Sequence, residues 1–172
     1  MTDIAKRLAR VRQHMSRLGL DALIVPRADE YLGEYIPERN ERLRWISGFT
    51  GSAGVVIVLQ DRAVIFVDGR YTVQVARQVP ADLFEVLHLI EEPHLPWLAG
   101  QLGAGARVGC DARMHPYRWY QEADKTLGEA GPPIVNVCSR YGSVDFNGER
   151  MMGLNNIELI TDRPLEANLR EI

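Results

Sequence analysis

The sequence predicts an α/β domain of three layers, with a mixed β-sheet between two layers of helices. Three observations carry that expectation. Short apolar runs rich in Val and Ile, such as "ALIV", "VVIVL" and "AVIFV", alternate with longer segments of helical period. Two of those runs follow one another with only Gln60–Asp61–Arg62 between them, so an antiparallel pair interrupts an otherwise alternating order of strands and helices. The composition, 46% hydrophobic and 25% charged over 172 residues, is that of a globular chain able to cover both faces of a sheet.

The elements follow in order. Ile4, Leu8, Val11, Met15 and Leu18 share one helical face; Asp3 is placed to cap the start, and Gly19 to end the helix in a left-handed conformation. "DALIV" and Pro26 read as a short buried strand. The segment 27–44 is polar and irregular, with helical character near "NERLRWI". A glycine-rich stretch, "SGFTGSAG", leads into a strand at Val55–Leu59, and "AVIFV" at 63–67 forms the next. After Asp68–Gly69 two readings compete. Asp-Gly followed by "RYTVQV" suits a hairpin, whereas Thr72, Ala76 and Val79, beside Val75, suit a helix, which is the reading adopted. A strand near Phe84–Leu89, a helix near Leu95–Leu102, a strand at 107–111, a helix over 116–129 and a strand "PIVNV" complete the pattern. From Ser139 the chain turns polar and glycine-dotted. This gives a domain at 1–138 and a tail or linker toward a second domain at 139–172.

Several function classes are disfavoured. A net charge of −3 with intermixed signs argues against a nucleic-acid or anionic-membrane surface, and no apolar run is long enough to span a bilayer. The N-terminus lacks the apolar core of an export signal, and Cys110 and Cys138 read as free thiols, so a cytoplasmic location is expected. The four histidines, His14, His88, His94 and His115, show no metal-ligand spacing, and no C-x-x-C occurs. Asp29, Glu30 and Glu34, and the pair Glu91–Glu92, read as solvated loop charges. Cys110, on a core strand, reads as a small buried hydrophobe.

The glycine stretch has G-x-x-G-x-x-G spacing and precedes a strand. A dinucleotide cradle needs G-x-G-x-x-G before a helix, and a P-loop needs Gly-Lys-Ser/Thr. Nor is "GSAG" a G-x-S-x-G nucleophile elbow. A tight turn is left, with Gly51 and Gly54 supplying positive φ and close backbone packing. Arg70, at the mouth of a strand in "VDGRY", has two readings that position alone leaves open. It can clamp a carboxylate or a peptide carbonyl, or it can pair with Asp68 across the turn.

Taken together, "GLDALIVPRADEYLGEYIPERNERLRWISGFTGSAGVVIV", "AVIFVDGRYTVQVARQ" and "RVGCDARMHPYRWY" resemble the creatinase/prolidase-type N-terminal domain of Xaa-Pro aminopeptidases, across about residues 1–137. The three-domain cytosolic aminopeptidase P type is the nearest in pattern. The resemblance implies a ribonuclease H-like α/β/α fold and a helix after Tyr71. It further implies a parent metallopeptidase that removes the N-terminal residue from peptides with proline in second place. Its separate catalytic domain of pita-bread fold would hold two divalent ions, usually manganese, that generate the attacking hydroxide. No catalytic or metal-binding residue is then expected in this chain, which alone would be inactive.

By the same resemblance the domain supplies subunit contacts in a homodimer and walls the route to the metals. Arg70 is expected to reach a neighbouring subunit's active site and bind the peptide, with Asp68 and Tyr71 holding its loop. The junction departs from the family pattern: Ile157 and Ile160 stand where an Asp and a Trp are usual before "TDRP". Two alternatives stay open. One is a stand-alone module binding peptide or protein in a groove lined by Arg70, Trp45 and Phe49. The other is a prolidase- or creatinase-like parent.

Overall fold

The computed structural model describes residues 3–128, 134–139 and 157–159. Among these residues five helices are formed: α1 (Asp3–Leu18), α2 (Arg42–Ser47), α3 (Thr72–Gln78), α4 (His94–Gln101) and α5 (Tyr117–Gly128). Seven strands accompany them: β1 (Ala22–Pro26), β2 (Gly54–Leu59), β3 (Ala63–Val67), β4 (Glu85–His88), β5 (Val108–Cys110), β6 (Ile134–Ser139) and β7 (Ile157–Leu159). The sheet order is β4-β3-β2-β1-β5-β6-β7. The pairs β1–β2, β2–β3 and β6–β7 are antiparallel, and β3–β4, β1–β5 and β5–β6 are parallel. The sheet is mixed, as the sequence predicts.

The three layers follow from the period of two in the central strands. Leu23 and Val25 of β1, Val56 and Val58 of β2, and Ala63, Ile65 and Val67 of β3 face one core with Leu8, Val11, Met15, Leu43, Ile46 and Val75 of α1–α3. Ala22 and Ile24, Ile57 and Leu59, and Val64 and Phe66 face the opposite core with Leu95, Leu98, Tyr120, Ala123 and Leu127 of α4 and α5. A sheet covered on both sides needs near-continuous apolar strands, which is why "AVIFV" is buried at all five positions.

Connections move leftward from β3 to β4 through α3 on the first face, and rightward from β5 to β6 through α5 on the second. Opposite directions with opposite faces are what right-handed crossovers demand. The order therefore reverses between β1 and β5. Since β1, β3, β4, β5 and β6 all run the same way, their carboxyl ends lie at one edge of the sheet, and β2 brings Gly54 there by running against them. Ligands of open α/β sheets gather at such an edge.

Most elements lie where the sequence places them, with three corrections. Gly51 and Gly54 do not have positive φ; Gly48 does, at 82°, where it ends α2, and Gly19 does at 63°. The helix after Tyr71 forms, but it buries Val75, followed by Val79, while Thr72 and Ala76 are exposed. The capping of α1 at Asp3 depends on the residues before it, which lie outside the described residues. Asp29 is buried rather than solvated; its carboxylate accepts the N–H groups of Tyr31 and Gly33 at 3.0 Å each. Among the described residues no helix is long and apolar enough to cross a membrane.

The tail 139–172 lies mostly outside the described residues, including Ile160 and "TDRP". Of it, Ile157–Leu159 forms β7 against β6. The side chain of Cys138 is likewise outside the described residues, whereas Cys110 is a free, fully buried thiol whose pKa burial pushes up to about 12.

Candidate functional site at the carboxyl edge of the sheet

Arg70 projects from this edge. Asp68 follows β3 in extended backbone and caps a single 3-10 turn, Gly69–Tyr71, by accepting the Arg70 N–H at 2.8 Å. The same carboxylate takes the Arg70 guanidinium side-on: Nε donates at 3.0 and 2.9 Å to the two oxygens, and Nη2 donates at 2.6 Å. Those bonds hold the Asp68 carboxyl below its usual pKa and raise that of Arg70. The side chain of Arg70 is still 71% exposed. A guanidinium has five N–H donors, and Asp68 engages the Nε–H and one on Nη2, so among the described residues no partner takes the donors at the outer end of the fork. The pairing with Asp68 and the capacity to clamp a peptide are thus compatible, because they use different edges of one plane.

Tyr71 supports this arrangement. The Arg70 Cζ lies 5.4 Å from the centre of the Tyr71 ring, and the phenol shares a 2.5 Å hydrogen bond with Ser52 Oγ, which lowers the phenol pKa. Phe49 meets the Tyr71 ring edge-on at 5.6 Å. Here the glycines explain themselves: a Cβ on Gly51 would fall 2.2 Å from Phe49 Cζ and 2.9 Å from Tyr71 Cδ1, and one on Gly54 would fall 3.1 Å from a Leu43 methyl and 3.2 Å from the Phe66 carbonyl. Close packing of rings and strands, not left-handed backbone, demands them.

Phe49 is 1% exposed, so the groove of Arg70, Trp45 and Phe49 does not exist. Phe49 is a core residue, and half-buried Trp45 is covered by the Arg7 guanidinium at 5.2 Å.

Two further groups escape sequence reasoning. Arg27 donates from Nη1 to the carbonyls of Glu34 and Ser52 and from Nη2 to Glu41, each at 3.3 Å, tying three segments together. Nothing in its surroundings in sequence signals this, because its partners are backbone oxygens and a residue 14 positions away. At the point where strand order reverses, the 2%-exposed Arg42 reaches Asp111 at 3.8 Å, and Arg113 binds the same carboxylate at 3.0 Å. Beside them His115 stacks on Trp119 at 3.6 Å, with His94 on Trp119 at 6.5 Å. Burial lowers the pKa of His94 to about 4 and that of His115 to about 3, so both are neutral at physiological pH.

Among the described residues no three His, Cys, Asp or Glu side chains are grouped to hold a metal ion. They do not fit a di-nuclear centre, and no metal-dependent step is assigned to them.

The profile of the family described as the creatinase/prolidase N-terminal domain matches residues 7–137. Xaa-Pro aminopeptidase 2 of Rattus norvegicus is 31% identical over 144 residues, which are 84% of this chain and 21% of that protein. The chain thus spans about a fifth of the length of the curated relatives it matches. The X-prolyl aminopeptidase of Caenorhabditis elegans, described as a cytosolic enzyme with a di-nuclear active site, superposes with a TM-score of 0.73 at 24% identity over 81% of this chain and 25% of that one. The N-terminal domain of the cytoplasmic peptidase PepQ of Mycobacterium tuberculosis superposes with a TM-score of 0.52 at 27% identity over 76% of this chain and 93% of that one.

Proposed function

The chain belongs to the creatinase/prolidase N-terminal domain family, and from that membership we propose that it serves as the non-catalytic N-terminal domain of a metal-dependent Xaa-Pro aminopeptidase. The parent removes the N-terminal residue from peptides with proline in second position, works in the cytoplasm and is a homodimer. Its catalytic domain carries two divalent ions, manganese in this reading, which supply the hydroxide for attack on the carbonyl before proline. This chain contributes subunit contacts and one wall of the route to that centre.

Within that division of labour Arg70 binds the peptide. The observation that supports this is the exposed guanidinium fixed along one edge by Asp68, with its other edge open at the carboxyl end of the sheet. A planar donor held this way can take a carbonyl or carboxylate in one orientation, and its role is to position substrate, not to move a proton. In the parent enzyme, Arg70→Ala is expected to lower kcat/KM for X-Pro peptides at least ~10-fold, as for the loss of a charge-assisted hydrogen bond, with metal content unchanged. Full efficiency in that variant would remove Arg70 from the substrate site.

A further inference from the structure

The Ser52 hydroxyl joins two turns that the sequence keeps 19 positions apart. We propose that Ser52 is a positioning residue for Arg70, acting through the ring of Tyr71; the inference rests on the reading of Arg70 given above. Among the described residues the Arg70 side chain has two supports, the Asp68 carboxylate along one edge and the Tyr71 ring, whose centre lies 5.4 Å from Cζ. Asp68 fixes an edge, and a plane fixed at one edge still hinges about it. The Tyr71 ring limits that hinge, so its tilt sets where the outer donors point.

That tilt is set at both ends of the ring. At the inner end, Phe49 meets it edge-on and the Gly51 backbone leaves no room for a methyl group. At the outer end, the phenol shares its hydrogen bond with Ser52 Oγ, at 2.5 Å. Ser52 is itself immobilised. Its carbonyl accepts from Arg27, whose guanidinium is anchored on Glu41. Two residues before it, Thr50 is bound to Gln78 through its N–H at 2.9 Å and its hydroxyl at 2.8 Å. The glycine turn is therefore a rigid bracket with a hydroxyl at its tip, and its structural job as a strand launcher requires no hydroxyl there.

The test uses two readouts. In the full-length enzyme, Ser52→Ala should lower kcat/KM roughly five-fold, mostly through KM, while Ser52→Thr restores it. The Ser52→Ala/Arg70→Ala double variant should be no worse than Arg70→Ala alone. In the 172-residue chain, ring-carbon NMR should show the Tyr71 phenol titrating below an ordinary tyrosine, and rising in Ser52→Ala. An unmoved Tyr71 titration overturns the inference. So does full efficiency of Ser52→Ala beside an impaired Arg70→Ala, or losses that multiply in the double variant; in both cases the reading of Arg70 stands. Full efficiency of Arg70→Ala instead removes that reading itself, and the inference with it.

Discussion

Gly51→Ala is the sharpest probe of how the glycine turn is built. The added Cβ would lie 2.2 Å from Phe49 Cζ and 2.7 Å from Cε1, against an optimal carbon–carbon separation of about 3.5–4.0 Å. Something must therefore retreat by more than ~1 Å. The Phe49 ring sits at 1% exposure among Leu43, Ile46 and Val67 and has nowhere to go. Overpacking of this kind costs about 1–3 kcal/mol, and the upper end applies because the struck atoms are a core ring. At ~2–4 °C per kcal/mol for a chain of this size, a cost of ~3 kcal/mol lowers the melting temperature by roughly 6–12 °C. Thermal and urea unfolding measure this directly, with Gly100→Ala in α4 as the control. No atom lies within 4 Å of a Cβ there, so that change should stabilise by about 0.5–1 kcal/mol through helix propensity. Phe49→Leu in the Gly51→Ala background should recover part of the loss. If Gly51→Ala unfolds like the wild type, Phe49 is not pinned under the turn, and the explanation of the glycine spacing is wrong.

Two other outcomes follow from the second cluster. His94 and His115 have folded-state pKa values of about 4 and about 3, below the ordinary 6.5, so the unfolded chain binds more protons between those limits. Stability is then full above pH 6.5 and falls as pH drops toward 4, by up to about 1.4 kcal/mol per pH unit for each histidine; His115→Gln should flatten the slope in urea titrations, and an unchanged slope would show that His115 is not buried neutral. Asp111→Ala leaves the 2%-exposed Arg42 without its carboxylate and should cost about 3 kcal/mol; a cost below ~1 kcal/mol would mean the charge is solvated.

How much was legible in the sequence depends on how local the signal is. The strands are legible because a sheet buried on both faces leaves nearly pure aliphatic runs, and α1 because Leu8, Val11 and Met15 recur at helical spacing. Asp68 and Arg70 are two residues apart, so their contact could be read from the turn itself. The partnership of Ser52 with Tyr71 could not, since it depends on β2 and β3 pairing to bring two loops to one edge. Asp29 looked solvated because its neighbours are polar, yet its partners are backbone N–H groups, which carry no sequence signature. The same holds for Gly51: a glycine required by a neighbouring ring and one required by positive φ look identical until the ring is placed. Arg42 and Asp111 stand 69 positions apart (111 − 42) and meet only where the strand order reverses.

The proposed function is a separation of roles, in which this chain would present Arg70 and wall a site while the bond-breaking machinery would lie in another domain. It is tested most directly by incubating the purified 172-residue chain with an X-Pro peptide and manganese and following release of the N-terminal residue. No release above the peptide-only control is expected at any metal concentration, whereas turnover that rises with manganese and is abolished by chelation would contradict the account.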